Sequence, residues 1–127
     1  MLVLTSETDT ATQFDIKVNQ GRTFRLKVNV QNADGTVRTL TGYQSKMQIK
    51  PSADSATILQ TLTEQTDPEV TGIITNGAGG FFSITIANEQ TSTYTWDSAV
   101  YDLQIDNGLD PEVLLRGGVQ VIERVTS

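Results

Sequence analysis

The sequence predicts an all-β fold: an antiparallel Ig-like β-sandwich with one short helical turn. Three observations predict it. Apolar residues recur at every second position in several short runs, as strands with one buried face require. Clusters of Asn, Asp, Gly and Pro punctuate those runs where tight turns would fall. Helical periodicity is almost absent, which leaves strands to build both layers.

The strongest run is residues 99–106, AVYDLQID, around which the rest is organised. Ala99, Tyr101, Leu103 and Ile105 alternate with Val100, Asp102, Gln104 and Asp106. Asn107-Gly108 then turns the chain, and residues 113–125 return it with Val119 and Val121 facing inward.

Taken in order, residues 1–13 are rich in Thr, Ser and Asp after the first four and show no amphipathic period. They read as an N-terminal arm that orders against a partner. Residues 14–127 read as the β-sandwich domain. Residues 14–18 form a first strand and 23–30 a second, with Phe24, Leu26, Val28 and Val30 inward. Asn32-Ala33-Asp34-Gly35 is a hairpin turn, and residues 37–40 return as a short mate. Residues 43–50 alternate again, with Met47 and Ile49 inward, and Pro51 ends the strand because it has no N–H to donate. Residues 58–62 form a short strand, and the acidic stretch 63–71 is a surface connection. Residues 72–75 pair with 81–86 across Asn76-Gly77-Ala78-Gly79-Gly80, with Phe82, Ile84 and Ile86 inward. Residues 88–93 supply the helical turn, kept short by Thr91, Ser92 and Thr93.

Composition narrows the function. The chain has 127 residues, the size of one domain. At 37% hydrophobic and 6% aromatic, its core is aliphatic and modest. There is no Cys, so disulfide and thiolate chemistry are absent. There is no His, which removes the commonest general base and metal ligand. The net charge of −6 repels a phosphate backbone, so nucleic acid is not an expected partner. The charge is uneven: residues 1–50 carry +3 and residues 51–127 carry −9. Facing strands can pair these charges within one domain, or a basic and an acidic side can stack copies head to tail. No apolar run approaches the roughly 20 residues of a membrane span. Residues 1–4 lack the basic flank of a signal peptide, so the protein is expected to stay in the cytoplasm of the expressing cell.

Four constellations invite chemistry. The glycine loop 76–80 suggests a phosphate cradle, but a strand follows it and no Lys accompanies it, so a flexible hairpin is the better reading. Residues 106–112 bring oxygen ligands together as a Ca²⁺ loop does, without the EF-hand spacing, and read as a solvated hairpin tip. Asp97 and Asp102 resemble a paired-carboxylate site with nothing to fix their separation. Trp96 with Tyr94 and Tyr101 forms either a sugar platform or a plug for one end of the sandwich; the plug is preferred. No catalytic residue, cofactor-binding residue or metal ligand is assigned, and no cofactor or small-molecule substrate is expected.

One resemblance goes further. Thr23-Phe24-Arg25-Leu26-Lys27-Val28, then Lys46-Met47-Gln48-Ile49-Lys50, then residues 82–91, then Tyr101-Asp102-Leu103, and finally Gly118-Val119-Gln120-Val121 follow a distinctive order. That order resembles small phage baseplate and tail proteins, including the N-terminal domains of upper-baseplate (fibre-attachment) proteins, over residues 14–127. Trp96-Asp97-Ser98-Ala99-Val100 stands where that pattern has Gly-x-Tyr. The resemblance implies a non-enzymatic virion structural protein in the tail, baseplate or fibre-attachment apparatus. Its partners would be other virion proteins and further copies of itself, with no nucleic acid and no membrane. It would be assembled into the virion in the host cytoplasm, presenting Arg25, Lys27, Lys46 and Lys50 as one basic face. A capsid decoration or neck protein of the same fold is one alternative, and a carbohydrate-binding module for host glycans is another.

Overall fold

The computed structural model describes residues 2–5, 12–32, 34–109 and 111–123, the first group by backbone alone. In chain order the strands are β1 (Leu2–Thr5), β2 (Thr12–Gln13), β3 (Ile16–Asn19), β4 (Phe24–Gln31), β5 (Gln44–Lys50), β6 (Gln60–Leu62), β7 (Gly72–Asn76) and β8 (Phe81–Ile86). After the helix α1 (Asn88–Thr91) come β9 (Ser98–Asp106) and β10 (Pro111–Ile122). The smaller sheet has the order β1-β4-β8-β7. The larger has the order β2-β10-β9-β5-β6, with β3 also on β10.

The fold is an all-β sandwich. β9 lies at the centre of the larger sheet, antiparallel to β5 on one side and β10 on the other. Its alternation becomes burial: Ala99, Tyr101, Leu103 and Ile105 all point into the core. Met47 and Ile49 on β5 and Leu115 on β10 join them, facing Val28, Val30, Phe82, Ile84 and Ile86 of the smaller sheet. Each such aliphatic side chain contributes about 1.5–3 kcal/mol by leaving water. The sequence breaks alternation at Leu114-Leu115, yet both are buried. A register shift between Val113 and Leu115 makes this possible, since a bulge turns two successive side chains to one face.

The antiparallel plan is modified at the N-terminal edge. Residues 1–13 were expected as an arm, and two pieces of them lie in the sheets. Leu2–Thr5 pairs parallel to β4, and Thr12–Gln13 pairs parallel to β10. The remaining arm residues, 1 and 6–11, lie outside the described residues. The first strand begins at Ile16 rather than Phe14, for a reason given below. The mate expected over residues 37–40 does not form. Gln31 and Val37 make one isolated bridge, and Leu40 N–H then donates to Gly77 O (2.7 Å), carrying the chain across to the β7–β8 turn. The short strand expected over 58–62 is shorter still, with Ile58 47% exposed outside it. α1 forms where the helical turn is expected, but Ala87 precedes it without a side-chain cap.

Candidate docking surfaces

The outward positions of the larger sheet form a polar face. β5 contributes Lys46, Gln48 and Lys50, β9 contributes Val100, Asp102 and Gln104, β10 contributes Arg116, Gly118 and Gln120, and β3 contributes Lys17. One row crosses the sheet as Gln13, Arg116, Asp102 and Gln48; the next passes through Gly118, Val100 and Lys50. A cleft of about 280 Å³ opens here, walled by Gln13, Arg116, Gln48 and Lys50 and floored by Asp102, Gly117 and Gly118.

The cleft opens where β10 carries no outward side chain, at Gly118; Gly117 beside it faces inward. Glycine inside a strand marks a close approach of another backbone, and here that approach is Phe14-Asp15. A Cβ on Gly117 would lie 2.2 Å from Phe14 O. The chain steps at this point: Phe14 N–H donates to Arg116 O (2.8 Å), and Asp15 Oδ1 accepts Gly118 N–H (2.8 Å). The step separates β2 from β3, which is why the first strand starts late. Tyr101, opposite Gly117, donates its hydroxyl to Phe14 O and pins the step from the core side. The Gly118 N–H, and then the Gln13 amide, hold the Asp15 carboxyl below the usual carboxylate range.

The single basic face expected from Arg25, Lys27, Lys46 and Lys50 is divided between two surfaces. β4 and β5 belong to different sheets, so their outward residues point away from each other. Arg25 pairs with Glu69 (2.7 Å) and donates to Pro68 O, while Lys27 lies 4.3 Å from the centre of the Phe81 ring. Lys46 and Lys50 face the opposite way, beside the cleft.

Within the stretch 63–71, Glu64 does more than coat the surface. Its carboxylate accepts the Ser45 N–H (2.8 Å) and hydroxyl (2.8 Å) from β5, and the Thr75 N–H (3.2 Å) and hydroxyl from β7. One side chain thereby bonds both sheets along one side of the sandwich.

The other constellations resolve as follows. In the glycine loop, Gly79 N–H donates to Asn76 Oδ1 and Gly80 N–H to Asn76 O, closing a hairpin turn that leads into β8. Gly80 has φ 65°, and a Cβ there would lie 2.3 Å from Arg38 O, so this turn requires glycine. In 106–112, Asp106 Oδ1 accepts Gly108 N–H, Asn107 Oδ1 accepts Leu109 N–H, and Glu112 makes a bidentate pair with Arg38 (2.8 and 3.2 Å). That pair raises the Arg38 pKa further. Asp110 lies outside the described residues. Among the described residues no group of three or more His, Cys, Asp or Glu is placed to hold a metal ion. Asp97 precedes β9 and Asp102 sits mid-strand, so extended geometry spaces their Cα atoms roughly 16 Å apart, too far for a carboxylate pair to share one bond. Tyr94 is buried, donates to Gln60 Oε1 (3.1 Å) and stacks on Trp96 with ring centres 4.8 Å apart. Burial pushes its phenol up to about 12. Tyr101 is buried elsewhere, on β9, so the three aromatics plug the core and do not make one exposed platform. Among the described residues no helix is long and apolar enough to cross a membrane.

The architecture — two sheets joined by the Glu64 seam, with the Phe14-Asp15 step along the larger one — compares with a solved structure across almost its whole length. The fold is shared with a phage protein. It is similar to that of the N-terminal domain of phage TP901-1 ORF48, with a TM-score of 0.56 and 8% sequence identity. The similarity covers 97% of this chain and 98% of that one. No family model matches the sequence, and no curated protein matches it. The all-β sandwich expected from the alternation is the fold observed. Gly117 was the sequence signal for the backbone step and Gly118 for the cleft; Glu64 gave none, since an acidic residue near a Pro reads as surface.

Proposed function

We propose that the chain is a non-enzymatic structural component of a phage particle, placed in the tail, baseplate or fibre-attachment apparatus. There its Ig-like framework docks neighbouring virion proteins and further copies of itself after assembly in the host cytoplasm. The observation that carries this reading is the fold match to the phage domain over nearly the full length of both chains. The disposition of side chains supports it. The aromatics and Glu64 are spent on closing the sandwich, and charge is displayed outward on broad faces, as a docking module needs. The test is to purify particles from cells expressing a tagged chain and locate it by labelling and electron microscopy. Labelling at the tail tip supports the reading. A chain left in the soluble host fraction, with none in particles, overturns it.

A further inference from the structure

The larger sheet's outer face is basic although the chain as a whole is acidic. Lys17, Lys46, Lys50 and Arg116 stand on it against Asp102, with Asp15 and Asp106 at its margins. None of these four cations has an ion pair or side-chain hydrogen bond among the described residues. Asp102 lies across the strands from Arg116, yet the two form no salt bridge, so both remain available in the cleft.

The opposite charge is gathered at one end of the sandwich. Register places the end of β5, the start of β7, the end of β8 with α1, the start of β9 and the end of β10 together there. The connections at that end carry Asp54, Asp67, Glu69, Glu89, Asp97 and Glu123, all exposed, against Arg22 and Arg25. Arg25 is already engaged by Glu69. Glu89, Asp97 and Glu123 have no side-chain partner among the described residues.

We infer that the outer face of the larger sheet docks the acidic end of a second copy of this chain, one carboxylate entering the cleft between Lys50 and Arg116. This rests on the structural-component reading and names which surfaces meet. The bare outward position at Gly118 gives the incoming loop room to approach the sheet. Asp102, on the cleft floor, limits the site to one carboxylate, because a second would face like charge. Such a contact joins two different patches, so it propagates into rings or rows of copies.

Sedimentation of the full chain at low and high salt tests this. Wild type is expected to self-associate at about 0.01 M salt, where the Debye length is about 30 Å, and to dissociate at about 1 M, where it is about 3 Å. The Lys50→Glu/Arg116→Glu variant should weaken association at least about tenfold, and so should Glu89→Gln/Asp97→Asn/Glu123→Gln. Circular dichroism checks that both keep the β fold. Mixed together, the two variants should associate again, since each supplies the surface the other lacks. A wild type that is monomeric at low salt overturns the inference, as does association indifferent to salt or to the cleft variant. Chain found in purified particles alongside a monomer in solution removes this inference alone; chain absent from particles removes the functional reading itself.

Discussion

Two seams on opposite sides of the sandwich are held by different means, one between the sheets and one within the larger sheet. On one side the Glu64 carboxylate gathers four hydrogen bonds from Ser45 and Thr75 and so ties β5 to β7 through one side chain. On the other, Phe14-Asp15 is held by the Arg116 carbonyl, the Gly118 N–H and the Tyr101 hydroxyl, through groups spread over two strands. The first seam concentrates its stabilisation in one residue. The second distributes it, and depends instead on the absence of a side chain at Gly117. The lesson is that a seam can be held by adding a group or by leaving one out.

The contrast is sharpest if Glu64 is removed. Glu64→Ala removes the acceptor of four donors; the Ser45 and Thr75 hydroxyls, 2.8 Å apart, can satisfy one donor between them, which leaves three without an acceptor, the N–H of buried Ser45 among them. Unsatisfied donors of this kind lead to an expected loss of about 3 kcal/mol in urea unfolding. A loss no greater than that of Tyr101→Phe would erase the distinction between the seams. Gly117→Ala comes next. Its Cβ meets the Phe14 backbone, which is not the flexible end of a side chain, so the step must move, at about 2 kcal/mol. Tyr101→Phe deletes one hydrogen bond and should cost about 1 kcal/mol.

Two buried tyrosines, of which Tyr101 belongs to the second seam, also set an alkaline limit. Burial raises the Tyr94 phenol to about 12, and raises Tyr101 as well, helped by the nearby Asp15 carboxylate. A raised folded-state pKa stabilises below the unfolded value of about 10 and loses that contribution as pH climbs toward the folded one. Phenolate absorbance of these two residues should therefore rise together with loss of the β-sheet signal. Ionisation that precedes unfolding would show the rings to be open to water. The smallest effect is at Asp15, whose lowered pKa stabilises above about 3.9 and fades as pH falls through its folded value. Asp15→Asn should flatten the acid limb of the stability profile slightly; a steeper limb would contradict the hydrogen bond to Gly118.

What could be read in the sequence was set by period. Alternation in residues 99–106 fixed which side chains of β9 enter the core, and the same held for β4, β5 and β8. Alternation does not say which sheet a strand joins, so Arg25 and Lys46 looked like neighbours when they lie on opposite faces. β2 was hard to read because a two-residue strand owes its existence to β10 and carries too few residues for a pattern, whereas the alternation over 14–18 located β3 with its start two residues early. The Glu64 seam was illegible for another reason: its partners, Ser45 and Thr75, are 19 and 11 residues away, and only the fold brings them together.

β10 pairs with β2, β3 and β9, and its bond from Gly118 to Asp15 spans 103 residues. During synthesis, then, Thr12–Asn19 leaves the ribosome long before its mate is made. The larger sheet closes late, and chain closure over that separation is slow. Until Pro111–Ile122 emerges, β9 exposes an unpaired rim, and a chaperone that shields this rim should raise the yield of folded chain.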